Sequence, residues 1–129
     1  MEVRLGRHRV SGRREAGMVT AETAVVLPVL LLVLATTVAA VTVVGAQLRC
    51  VDAAREGARA AARGEPVAVV QSVVARAAPD GATTTVSVGA EEVRVRVTAR
   101  IAPLGAAPLS ITVGAEAVAL REPGAQETG

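Results

Sequence analysis

Glu22 is the one charged side chain between Glu15 and Arg49. Gly17 stands five residues before it, and Met18 follows the glycine. A glycine lets the chain bend and lets a protease approach the backbone closely. Cutting the bond between Gly17 and Met18 creates a new ammonium group on Met18. On a helix rising about 1.5 Å per residue, Glu22 then lies about 6 Å from that amine. A carboxylate in an apolar zone costs free energy until it finds a partner, and an amine of this kind can be one. The plainer chemistry is that Glu22 complements the positive end of a helix macrodipole, with Thr20 or Thr23 as cap. The residues alone leave both open.

The rest of the chain offers little reactive chemistry. His8 is the sole histidine, so Ser11, Ser72, Ser87 and Ser110 lack a plausible base. Asp52 and Asp80 form no recognisable acid/base pair. Cys50 is the sole cysteine, which rules out an intrachain disulfide and leaves no Cys/His cluster for a metal. Gln47, Leu48 and Arg49 are not the small residues that precede a lipoprotein cysteine, so Cys50 reads as a small buried residue. The sequence therefore predicts a protein that is not an enzyme and uses no cofactor or metal.

These residues must be positioned by a membrane segment. Residues 23–48 carry no charge and are almost all apolar. About 20 residues cross a bilayer core, whereas the apolar part of a cleaved signal peptide runs only about 7–15. No clean A-x-A site closes this run, although Ala35, Ala39 and Ala40 come near one. Pro28 interrupts the run, removing a backbone hydrogen bond and pressing on the carbonyl of Ala24. Charge gives the orientation. Residues 1–17 hold Arg4, Arg7, Arg9, Arg13 and Arg14 with a net +3, and the remainder sums to −1. A basic leader before a span keeps the N-terminus in the cytoplasm. With the basic charge confined to that leader and 0% aromatic residues to stack on bases, no nucleic-acid partner is expected.

Beyond the span, residues 46–66 read as helix. Val51, Ala54, Ala58 and Ala61 recur at helical spacing as a narrow face of small residues, suited to close packing on another helix or a sheet. Arg55, Arg59 and Arg63 form a stripe on a different face, with Asp52 and Glu56 placed to pair with it. Gly57 costs about 1 kcal/mol against alanine in such a helix. Gly64 followed by Glu65 and Pro66 stops it. A continuous helix from about Val19 to Arg63 is predicted.

At this point a family comes into view. Gly17, Met18 and Glu22, set between a basic leader and an apolar helix, resemble the processing site of type IV prepilins and pseudopilins. Glu22, Ala24 and Pro28, followed by the Leu/Val run and "DAAREGARAAARGE" (residues 52–65), look like the TadE-like proteins of Tad (Flp) pilus systems. The resemblance implies a minor pilin or pseudopilin, cut after Gly17 by a membrane prepilin peptidase so that Glu22 becomes the fifth mature residue. It implies that Glu22 meets the Met18 amine of a neighbouring subunit and that Pro28 shapes the helix for assembly. Its partners would be the peptidase, other pilins, Tad assembly proteins and the lipid bilayer. The alternatives are an unprocessed single-pass membrane protein and a secreted domain released near Ala40.

The exported half reads as a short helix and three strands. Val67, Val70, Val74 and Ala77 share a helical face, and Pro79-Asp80-Gly81 is a turn. TTTVSV (83–88) and EVRVRVTARI (92–101) form a hairpin. The second strand alternates Val93, Val95, Val97, Ala99 and Ile101 with Arg94, Arg96, Thr98 and Arg100. Residues 109–120 give a third strand, with Gly114 at a bend or bulge. Arg94, Arg96 and Arg100 could form an anion-binding row, although a solvated sheet face explains them more simply. The predicted fold is thus α+β and membrane-anchored: a long N-terminal helix, a short helix and a small antiparallel three-stranded sheet. Its domains are a basic cytoplasmic leader (1–17), a transmembrane helix (18–48), a membrane-proximal helix (49–65), an extracytoplasmic α+β domain (66–121) and a disordered tail (122–129).

Overall fold

The computed structural model describes residues 11–124. Most of the leader, including Arg4, Arg7, His8 and Arg9, and residues 125–129 of the tail lie outside the described residues. The elements run α1 (Ser11–Ala62), α2 (Val67–Ala77), β1 (Thr83–Val88), β2 (Glu92–Ile101), a 3-10 turn (Ala107–Leu109) and β3 (Ile111–Leu120). This is the α+β architecture expected from the sequence. Helix α1 begins at Ser11 rather than near Val19. Arg13, Arg14, Glu15 and Ala16, in the expected leader, are all good helix formers, and no proline separates them from the apolar run.

The chain divides after Thr37 into two units. Among the described residues, the first contains only the opening part of α1. The second, Val38–Gly129, contains the rest of α1, α2 and the sheet. Within it the strands lie in the order β1-β2-β3, antiparallel throughout. Register places Val93, Val95, Val97 and Ala99 of β2 opposite Ala119, Ala117, Ala115 and Val113 of β3. Val86 and Val88 of β1 stand opposite Val95 and Val93. Apart from Thr84, opposite Val97, this face is small and aliphatic, and α1 and α2 cover its β2 valines.

The core is built from the smallest apolar side chains. Ala46, Cys50, Ala53, Ala54, Ala58, Ala60 and Ala61 of α1 are buried with Val70 and Val74 of α2 and the sheet valines. Gly57 lies where α1, α2 and β2 meet. A β-carbon there would stand 2.5 Å from Val74 Cγ2 and 3.1 Å from Val95 Cγ1. The glycine that weakens the isolated helix is what allows α1 to approach its neighbours.

Polar fasteners surround this contact. The Gln47 amide donates to the Gly114 carbonyl (2.8 Å) and accepts from the Gly114 N–H (3.1 Å), so a side chain pairs with the edge of β3 as a peptide group would. Gly114 makes no bulge, because the β2–β3 register runs unbroken through it, opposite Thr98. A β-carbon at Gly114 would meet the Val97 carbonyl oxygen at 2.9 Å. Arg49 donates to the carbonyls of Ala77 (3.4 Å) and Ala78 (2.8 Å), capping the C-terminal end of α2 with positive charge. Gly64, at φ 79°, ends α1 in a Schellman arrangement: its N–H donates to the Ala61 carbonyl and that of Glu65 to the Ala60 carbonyl. The N–H of Glu122, after β3, donates to the carbonyl of Ala62. Gly81, at φ 72°, allows the turn in which Ala82 N–H donates to the Pro79 carbonyl.

Cys50 is fully buried, and that burial raises its thiol pKa; the nearby Arg49 guanidinium acts in the opposite direction. The neutral thiol is thus favoured by folding. Its contribution is complete below the usual thiol pKa of about 8.5 and is lost as pH rises through the higher folded value.

Two outcomes follow from this core. Gly57→Ala should lower the thermal midpoint of the full chain in detergent, because overpacking costs about 1–3 kcal/mol and exceeds the helix-propensity gain of about 1 kcal/mol. Adding Val74→Ala should recover part of that loss beyond additivity; a stabilised Gly57→Ala protein would contradict the close approach. Above about pH 8.5, wild-type stability should fall more steeply than that of Cys50→Ala, by at most about 1.4 kcal/mol per pH unit. Parallel pH profiles of the two proteins would remove the buried-thiol contribution.

Candidate assembly interface

In the first unit, Gly17, Met18, Glu22 and Pro28 all lie within α1. Glu22 is exposed and Met18 is 73% exposed. Nothing comes within 4 Å of a β-carbon built on Gly17. Because α1 starts at Ser11, Glu22 lies about three turns inside the helix and not in its first turn, where no acid stands. The macrodipole role therefore loses its geometry in this chain, since that field is concentrated at the terminal turn. Thr20 and Thr23 do not cap the helix. Their hydroxyls donate to the carbonyls of Ala16 (2.8 Å) and Val19 (2.9 Å), four residues back.

The same back-bonding continues along the apolar run. Thr36 and Thr37 donate to Leu32 and Val33, and Thr42 donates to Val38. Each hydroxyl is satisfied within the helix, which makes it compatible with hydrocarbon. Leu27, Leu30, Leu31, Leu32 and Leu34 are all more than half exposed. This is the one helix among the described residues long and apolar enough to cross a membrane, with a peak mean hydropathy of 2.7.

Past Leu48, α1 changes character. Ala54, Ala58 and Ala61 are buried in this chain's own core, while Val51 is half-buried. Arg55 and Arg59 are exposed. The expected Asp52–Arg55 and Glu56–Arg59 pairs are not among the ion pairs of the described residues, and Arg63 pairs instead with Glu65 at 2.5 Å. On the outer sheet face, Glu116 lies between Arg94 (3.5 Å) and Arg96 (2.5 Å), and Glu92 also meets Arg94 (3.1 Å). Two members of the arginine row are thus matched by carboxylates rather than open to an anion. Arg100 has no carboxylate within 4 Å among the described residues.

Sequence reasoning missed the roles of Gln47, Arg49 and Gly57. Gln47 carried one signal, as an amide at the end of an apolar run; the partners of all three lie far along the chain.

Comparison with known proteins places these features in a family. The model of the family described as TadE-like protein matches residues 17–59, which take in Gly17, the apolar run and the alanine-rich turns over the sheet. A Mycobacterium tuberculosis protein named apoptosis inhibitor Rv3655c is 40% identical over 103 residues, covering 80% of this chain and 78% of that protein. No solved structure matches the chain. With the family pattern running from the glycine before the span into the packed alanines, and similarity to a relative extending over most of both sequences, the chain belongs to the TadE-like family.

Proposed function

We propose that this protein is a minor pilin or pseudopilin of a Tad (Flp) pilus, inserted with its N-terminus in the cytoplasm and trimmed between Gly17 and Met18 by a prepilin peptidase. The observation that carries the reading is that the family match begins at Gly17, the residue preceding the proposed cut. The open space around Gly17 supports it, as does the ease with which a helix unwinds at glycine, which costs about 1 kcal/mol less to free than alanine. In this reading residues 1–17 are a leader, 18–48 span the membrane, 49–65 continue the helix and 66–121 form the extracytoplasmic domain.

Trimming changes the electrostatics of Glu22. In the uncut chain it lies deep in α1, away from the terminal amide groups. Removal of the leader makes it the fifth residue, close to the new helix end and to the new ammonium on Met18. A carboxylate among apolar helices then has a use for a neighbour's amine, because an unpaired charge there is costly. Pro28, one and a half turns further on, sets local helix shape where copies pack. The role is one of assembly, without a chemical step carried out by this chain.

The second reading is an unprocessed single-pass protein with a small interaction domain. The unbroken run of α1 through Gly17 and Met18 favours it, since a peptidase must first unwind that turn.

Mass spectrometry of the membrane fraction from cells with the cognate peptidase separates the two. A mature N-terminus at Met18 is expected, and an intact leader would refute trimming. Gly17→Arg should leave the leader attached; normal trimming of that variant would move the site elsewhere. Glu22→Ala should insert normally yet enter sheared pilus fractions at least about tenfold less, the equivalent of about 1.4 kcal/mol. Undiminished incorporation would eliminate the amine pairing.

A further inference from the structure

Among residues after the span, the longest stretch without charge is 101–115, between Arg100 and Glu116. It contains the end of β2, the β2–β3 loop (residues 102–110) and the start of β3. The loop exposes Leu104 (53%) and Leu109 (64%), and Ile111 beside it is 46% exposed. Exposed leucines on an uncharged loop have no explanation in the core that the sheet buries on its other side.

The place of this loop follows from contacts within the second unit. Gln47 binds Gly114, Gly57 lies against Val95, whose partner is Ala117, and Ala62 accepts from the N–H of Glu122. Numbers rise together along α1 and β3, so the two elements run in the same direction. Ile111 is three residues before Gly114, about 10 Å at about 3.3 Å per strand residue. That distance corresponds to about seven residues of α1 before Gln47, near Ala40 and Val41. By this rise the loop falls level with the last turns of the apolar run, where Val41 (67%) and Val44 (58%) are themselves exposed. Its leucines add exposed apolar surface at that level.

Two further features suit this loop to a lipid interface. Four of its nine backbone positions offer no free donor: Pro103 and Pro108 have no N–H, while Gly105 and Leu109 donate to the carbonyls of Ala102 (3.0 Å) and Ala106 (2.9 Å). Satisfied backbone groups reduce the cost of entering a low-dielectric region. Arg100, at the base of the loop, is the member of the outer-face arginine row without a carboxylate within 4 Å among the described residues. A long cationic side chain at the edge of an apolar surface can reach lipid phosphates while its stem stays on the apolar side.

We propose that the β2–β3 loop, led by Leu104 and Leu109, docks into the outer interface of the bilayer that α1 crosses, with Arg100 at the phosphates. The loop gives the sheet a second attachment to the membrane beside α1. This inference rests on α1 crossing the bilayer and not on trimming at Gly17.

The native chain has no Trp, Tyr or Phe, so a single introduced tryptophan is read without background. Leu104→Trp, Leu109→Trp and, as a reference on the opposite end of the outer sheet face, Ser87→Trp are made in the full chain. Each is reconstituted in vesicles of phosphatidylcholine and phosphatidylglycerol, with or without acyl chains brominated near the headgroup. The loop tryptophans should emit at shorter wavelength, resist iodide and be quenched by brominated lipid at least about twofold more than Ser87→Trp, as expected for a group about 5–10 Å into the interface. Loop tryptophans that behave like Ser87→Trp in floated vesicles would overturn the proposal. So would a blue shift without quenching by brominated lipid, which would mark a protein contact instead. Failure of every variant to float with the vesicles would remove the membrane anchor and the proposal with it. Arg100→Glu in the Leu109→Trp background should lessen the quenching, and unchanged quenching would overturn the part given to Arg100.

Discussion

The fold depends on how closely α1 can lie on its sheet. With no aromatic side chain in the sequence, the buried core is filled by valine, alanine and one cysteine. Small side chains fill space only when the backbones bearing them come close, because an unfilled gap forfeits dispersion contacts and leaves a cavity. Gly57 sets that approach, and Val74 and Val95 occupy the space its missing side chain leaves. Arg49 and Gln47 belong to the same arrangement. Each lies on α1 within reach of backbone groups on α2 or β3 because the core between them is thin. A domain this small has little burial to spare, so these polar fasteners carry a larger share of its stability than they would in a thicker core.

Much of the fold after α1 was legible because alternation in β2 is strict. Val93, Val95, Val97 and Ala99 are buried, and the arginines between them are exposed. Pairing of β1 and β2 followed from the short Gly89-Ala90-Glu91 connection, and Gly64 stops α1 by the backbone geometry that only glycine adopts readily. The alanine-rich part of α1 was harder to read. Small residues occur on several sides of it, so a narrow face through Val51, Ala54, Ala58 and Ala61 fits the spacing. The buried set is wider and displaced, taking in Ala46, Cys50, Ala53, Gly57 and Ala60 while leaving Val51 half-buried. Periodicity identifies a face by contrast, and alanine provides little.

The start of α1 was concealed for a related reason. A charged leader suggests an end to regular structure, yet arginine, glutamate and alanine favour helix when nothing interrupts them. That continuity altered the setting of Glu22 more than any contact did. Glu22 has no ion-pair partner among the described residues, and a position in the fourth turn gives it little of the terminal macrodipole. The candidate site was therefore legible as a set of residue types, Gly17, Met18 and Glu22. In the function proposed, their purpose depends on a cut bond and a neighbouring copy, neither of which a single uncut chain supplies.

This division of α1 constrains any assembly of the kind proposed. Its alanines from Ala46 onward are already used within the chain, so lateral packing must draw on the Leu- and Val-rich surface of the apolar run. Aliphatic surfaces in lipid gain little from meeting one another, because the acyl chains they displace are equally apolar. Such surfaces can also slide in register at small cost. A lone carboxylate removes that freedom, since each misaligned copy leaves its charge without a partner in hydrocarbon. Glu22 would thus contribute less to the strength of packing than to its register, and its value there comes from being the one charge in the run.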